Sequence, residues 1–156
     1  MWLSFITILP RIHKEGLSNA QQLFERMRDN EAQGRDRCIW NEVLASVAMA
    51  RCTAMAQGGW WGHTGPDGRG PNAWVRQAGY NLPGFYLDEN NNIESIGAGG
   101  NGQLDQMWDA WMRSPGHKGH ILGEYDFFAA QENIGIAFLY DEDSKSKYYW
   151  SILSAP

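Results

Sequence analysis

Three of the four histidines stand where an imidazole could do chemistry. His63 lies in Gly62-His63-Thr64-Gly65, and His117 lies in Ser114-Pro115-Gly116-His117 near a helix start. His120 follows His117 by one helical turn, close enough for both rings to reach one site. Glu94 interrupts the apolar run Ile93-Glu94-Ser95-Ile96, and Glu132 stands just ahead of an alternating segment. Imidazoles and carboxylates move protons near neutral pH and bind divalent ions, so an acid–base site or a metal site is one reading. No local signature joins them. The chain has no His-Glu-x-x-His, no Cys-x-x-Cys, no EF-hand loop, no Walker loop and no Gly-x-Ser-x-Gly elbow, and Gly97 to Gly102 do not follow the dinucleotide fingerprint. The same residues admit a purely structural reading. In it His63 satisfies loop carbonyls, His117 braces its helix, and Glu94 is an exposed turn carboxylate.

The elements that must position these groups follow from periodicity. Ser18 to Gln21 reads as a capping box opening a helix whose apolar stripe is Ala20, Leu23, Phe24 and Met27. Trp40, Val43, Leu44, Val47, Ala48, Ala54 and Met55 recur at helical spacing up to Gly58-Gly59, which predicts the longest helix. Gly62 to Pro71 is a loop by composition, and Asn72 to Ala78 predicts a short helix stopped by Gly79. Phe85 to Leu87 and Ile93 to Ile96 predict two extended pieces around a turn, with Gly97 to Gly102 breaking any element. Leu104, Met107, Trp108, Trp111 and Met112 mark an amphipathic helix. Ser114-Pro115 starts another that ends at Gly123. Ile134, Ile136, Phe138 and Tyr140 alternate, as do Tyr148, Trp150 and Ile152, predicting a hairpin with Asp141 to Lys147 as its loop. Helices followed by strands read as α+β.

With 156 residues, 43% hydrophobic and 20% charged, the chain is one domain with enough core to fold, not a disordered segment. The expected division is a lead-in over 1–18 and a single domain over 19–156. The net charge of -5 is concentrated in the body, where residues 38–156 carry seven Lys/Arg against thirteen Asp/Glu. Such a body has no footprint for a phosphate backbone, so nucleic acid is not an expected partner. The apolar run Trp2 to Leu9 is far short of the ~20 residues of a transmembrane span and lacks the flanks of a signal peptide. Cys38 and Cys52, placed on or beside one helix, would be separated by roughly 20 Å of helical rise, too far for a bridge, so free thiols are expected.

The order of motifs from about residue 20 onward resembles the superfamily of cysteine-rich secretory proteins, antigen 5 and pathogenesis-related 1 proteins, in its bacterial branch. Trp40 with the helix behind it looks like the family's second helix. Gly62-His63-Thr64-Gly65-Pro66-Asp67-Gly68 is similar to its His-containing loop, and Trp74-Val75-Arg76-Gln77-Ala78-Gly79-Tyr80 to the helix ending in Ala-Gly-Tyr. Ile93-Glu94-Ser95-Ile96-Gly97-Ala98-Gly99 resembles the Gly-Glu-Asn-Ile-Ala-x-Gly segment. The block from Trp111-Met112 through Ser114, Gly116, His117 and His120 to Ile121-Leu122 resembles Trp-Met-x-Ser-x-Gly-His-Arg-x-Asn-Ile-Leu, the most specific of the matches. Ile134 to Ala137 and Tyr149-Trp150 resemble the closing strands. The chain departs from the pattern at two asparagines, which here are Ser95 and His120.

The resemblance implies a three-layer α-β-α sandwich around a central antiparallel sheet. It implies a cleft in which His63, Glu94 and His117 hold a divalent metal, with Zn suited to two imidazoles, one carboxylate and an open position. Ser114, which stands near the place of a second family Glu, together with His120 and Glu132, are further candidate cleft residues. No catalytic residue is assigned. The implied function is a binding module for a small-molecule or lipid-like ligand. The alternatives are a metal-assisted, peptidase-like hydrolase and a structural component, with a protein partner, of a surface or virion assembly. The expected location is extracellular or cell-surface by resemblance, with the virion as the alternative.

Overall fold

Capping chemistry sets the helix boundaries. The computed structural model describes residues 18–156; the lead-in up to residue 17, including the Trp2 to Leu9 run, lies outside the described residues. Helix α1 (Asn19–Arg28) opens on the predicted capping box, in which the Ser18 hydroxyl accepts from the Gln21 N–H and the Gln21 side chain accepts from the Ser18 N–H. Helix α2 (Glu42–Gly58) starts at Asn41, whose side chain accepts from the Leu44 N–H, and stops at Gly59 in the left-handed conformation, φ 67°. Trp40 therefore does not belong to that helix. It lies in β1 (Ile39–Trp40), half-buried, with its side chain packed against the core formed with α1, α4 and α5.

Four more helices follow: α3 (Pro71–Gln77), α4 (Leu104–Met112), α5 (Pro115–Leu122) and the single turn α6 (Asp126–Ala129), which periodicity does not reveal. The remaining strands are β2 (Glu94–Ala98), β3 (Asn133–Tyr140) and β4 (Tyr148–Ala155), the last two forming the expected hairpin. Phe85 to Leu87 is not extended; it forms turns in which Tyr86 is buried and its two neighbours are exposed. Gly97 does not break β2. A Cβ there would meet Met107 and Trp111, so the missing side chain lets α4 settle directly on the strand.

The sheet runs β1-β3-β4-β2. β2–β4 and β3–β4 are antiparallel, but β1 pairs parallel to β3 over two residues, so the sheet is mixed at one edge rather than purely antiparallel. Its two faces bury separate cores, as strand alternation requires. Ala137, Tyr149, Leu153 and Ala155 pack with Leu44, Val47, Met55 and Val75 of α2 and α3. Ile134, Ile136, Trp150 and Ile152 pack with Leu23, Met27, Trp111 and Ile121 of α1, α4 and α5. This is the α-β-α sandwich. Gly135 permits its closest approach, because a Cβ there would run into the backbone of Leu44 and Ala45 in α2.

The cysteines sit apart for a reason other than helical rise. Cys38 precedes β1 and only Cys52 lies in α2; both are free thiols, and burial pushes each pKa up.

Candidate functional site

The start of β2 meets the loop after α2 and the first turn of α5 around a cavity of about 270 Å³ lined by His63, Glu94, Ser95, Ser114, His117 and His120, with Asn91, Asn92 and Phe128 at its margin. Residues far apart in sequence thus converge on one cleft. Glu132 does not line it. Its carboxylate accepts from Arg37 Nη2 at 2.8 Å in an ion pair at the surface, whose Arg37 side chain is largely exposed and whose Glu132 side chain is half-buried.

Glu94 is the best-held carboxylate of the described residues, and it is buried rather than exposed. Arg51 Nη2 donates to its Oε1 at 2.8 Å and Arg51 Nε to its Oε2 at 2.9 Å, a bidentate pair in which both side chains are 0% exposed. The Ser151 hydroxyl donates to Oε2 at 3.1 Å. Burial alone would push the Glu94 carboxyl up, but the Arg51 guanidinium and the His63 ring outweigh it, and the pKa lies below its ordinary value. The carboxylate is therefore ionised and can only accept. His63 Nδ1, 3.0 Å from Oε1, must carry the proton of that hydrogen bond. The nitrogen left for a ligand is Nε2.

Arg51 does more than neutralise Glu94. Its Nη2 also donates to the carbonyls of His63 (2.8 Å) and Gly62 (3.2 Å), tying the His63 loop to the same guanidinium. The Trp60 and Trp74 rings lie 5.4 and 5.5 Å from the guanidinium carbon, while Nη1 is buried without a hydrogen-bond partner. Sequence reasoning missed Arg51, although a signal was present. Leu44, Ala48, Arg51 and Met55 follow one helical stripe, and a cation on an apolar stripe must find a buried anion.

His117 sits on the opposite wall. Its Nδ1 pairs with Ser114 Oγ at 2.8 Å, and burial, together with the nearby His63 ring, pulls its pKa below the ordinary value. The Ser114 hydroxyl makes no N-cap bond and is turned to this imidazole instead. His120, one turn on, is not a surface residue: it is 4% exposed, and its two ring nitrogens lie 2.7 Å from Ser95 Oγ and Ser154 Oγ.

Among the described residues no group of three or more His, Cys, Asp or Glu side chains is arranged to hold a metal ion. The donor set explains why. Both Glu94 oxygens are committed to Arg51, His63 and Ser151, which puts this carboxylate behind His63 as its orienting partner. Two imidazoles remain to face an ion. A carboxylate that fixes the tautomer of a ligating histidine is the usual support of a metal site, and in this cleft Glu94 stands in that relation to His63.

The family model described as Cysteine-rich secretory protein family matches residues 22–153. Among solved structures, an outer surface protein from Borrelia burgdorferi superposes with a TM-score of 0.66 at 16% identity, covering 86% of this chain and 90% of that one. An extracellular protein containing an SCP domain from Bacillus anthracis also gives a TM-score of 0.66 at 16% identity, covering 88% of this chain and 40% of that longer one. At such identity the likeness speaks to the fold alone. No curated protein matches.

Proposed function

The chain belongs to the cysteine-rich secretory protein family, and from that premise we propose that it is a binding module whose cleft holds a divalent ion, Zn by preference, between His63 and His117. The observation that carries the reading is the pairing of His63 Nδ1 with an ionised, buried Glu94, which leaves Nε2 as the unprotonated nitrogen in one small cleft with a second imidazole. When bound, the ion would supply a positive centre for the donor atoms of a ligand. The chain's own residues do the rest: Glu94 and Arg51 hold His63 in place, and Ser114 orients His117.

A cleft of about 270 Å³ suits a small ligand better than a lipid-like one, since pockets for drug-sized ligands are larger. No helix among the described residues is long and apolar enough to cross a membrane. Both solved neighbours carry descriptions that place them at an outer surface or outside the cell, which supports an extracellular or cell-surface setting here. The virion alternative draws no support from them.

The test is elemental analysis of protein purified without chelator, followed by melting curves with Zn, Mn, Mg and Ca at pH 7.5. We expect Zn to raise the melting temperature in a concentration-dependent way, equivalent to about 2.7 kcal/mol at one hundred times its Kd. His117→Ala should abolish the shift. Proton competition should weaken it below about pH 6. Unchanged curves with all four ions would overturn the reading.

A further inference from the structure

The two positions at which this chain departs from the family's asparagines, Ser95 and His120, are bonded to each other: Ser95 Oγ lies 2.7 Å from His120 Nδ1 inside the cleft. At first sight this is a nucleophile beside a base. The hydrogen-bond chain behind it fixes a different role. Gln131 Nε2 donates to the Asn92 carbonyl at 2.8 Å, and a carbonyl can only accept, so the orientation of the Gln131 amide is set. Its Oε1 therefore faces Ser154, and the Ser154 hydroxyl spends its single proton on it at 2.7 Å. Ser154 Oγ must then accept from His120 Nε2, which carries a proton. Burial, the nearby Arg35 guanidinium and His117 pull the His120 pKa down to about 3, so the ring is neutral and Nδ1 bears a lone pair. The Ser95 hydroxyl donates to that lone pair. Its own proton is used, so Ser95, buried at the wall of the cleft, has only oxygen lone pairs left to offer.

We infer that Ser95 is a ligand-contacting residue with fixed polarity: it accepts a hydrogen bond from a donor group of the ligand, such as an ammonium or amide N–H or an ion-bound water, and His120 is the positioning residue that keeps it so. The inference rests on the cleft being a binding site, but not on the ion. Charge transfer to His120 is disfavoured, because an imidazolium there would be buried near Arg35, which donates to the carbonyls of His120, Ile121 and Gln131, to Gln33 and to Ser154 Oγ itself, with no carboxylate bonded to the ring. Ser95 is thus an acceptor and not an acyl-forming nucleophile. Among the described residues no Lys or Arg lines the cleft to reward an anionic ligand group beside it.

The test uses metal-free protein, so that loss of the Zn site and loss of this polarity are separable. Long-range ¹H–¹⁵N spectra at pH 7 should show His120 with Nε2 protonated and Nδ1 bare. Titration with ethylammonium chloride should move the Ser95 and Ile96 amide resonances saturably, and Ser95→Ala should weaken that binding roughly two- to tenfold, the effect of one hydrogen bond. Sodium acetate should leave both resonances in place. His120→Gln, which keeps a side-chain hydrogen-bonding group, should retain the fold by circular dichroism while losing the discrimination between the two probes. The inverse tautomer, a doubly protonated ring, acetate binding at Ser95, or covalent labelling of Ser95 by a fluorophosphonate would each overturn the inference.

Discussion

Glu94 and Ser95 are consecutive in β2, point to opposite faces of one sheet, and meet the cost of burial in opposite ways. Glu94 faces α2 and keeps its charge, matched by Arg51 and supported by Ser151 and His63. Ser95 faces α5 and enters a neutral chain through His120 and Ser154 to Gln131. Both line the same cleft. One narrow cleft thereby holds two imidazoles with different partners, a carboxylate for His63 and two serine hydroxyls for His120. The charged face puts a proton on His63 Nδ1 and leaves Nε2 bare, whereas the neutral face locks His120 away from solvent and from protonation.

If that contrast is right, breaking the charged face should cost most. Glu94→Ala leaves the Arg51 guanidinium buried without its anion, and should destabilise by about 3–5 kcal/mol in urea titration. The double change Arg51→Met with Glu94→Leu should recover much of that loss while releasing the His63 loop. A double variant no more stable than Glu94→Ala would show that the pair is not what holds this face.

The neutral face should reveal itself in pH dependence. His120 takes a proton near 6.5 when unfolded but only at about 3 when folded. Between those values the unfolded chain binds more protons, so stability is lost as pH falls, at up to about 1.4 kcal/mol per pH unit. The folded pKa of Glu94 is depressed, so its contribution is complete above its unfolded value near 4.3 and is lost only as pH falls further. The window from about pH 6.5 to 4.5 thus isolates the histidines. His120→Gln should flatten the slope there, and an unaltered slope would contradict the assignment. Ser95→Ala should cost less, roughly 1–3 kcal/mol, because it orphans the His120 Nδ1 acceptor without uncovering a charge. The smallest effect belongs to Glu132→Ala. Its ion pair with Arg37 is on the surface, so denaturation should register at most about 1 kcal/mol and Zn binding should not change.

The sandwich is legible in the sequence because its elements announce themselves locally. The Ser18 capping box, the α2 stripe, Pro115 and the alternation of β3 and β4 each follow from short-range chemistry. Trp40 misleads because an aromatic one turn ahead of Val43 extends the helical period, and only the Asn41 cap, with the pairing of β1 to β3, separates the two elements. The convergence of His63, Glu94 and His117 comes from resemblance and could not come from spacing, since whole elements, α3 between the first two and α4 before the third, separate them. Arg51, Ser154 and Gln131 are not legible as site residues. Each serves the cleft through a partner many residues away, and a single sequence carries no sign of such a partner beyond a polar residue on an apolar stripe. His120 illustrates the converse, since its helical position reads as solvated until α6 and the Phe128 ring cover it.

On this reading His63 and His117 share an ion, while His120, three residues further on, lines the same cleft with both ring nitrogens engaged by serines. Calorimetric titration with Zn at pH 7.5 of the parent chain, His63→Ala, His117→Ala and His120→Gln tests that claim most directly. The parent chain should bind one ion, both alanine variants should lose binding, and His120→Gln should keep the same stoichiometry. No heat from the parent chain, or binding undiminished without His63 or His117, would contradict it.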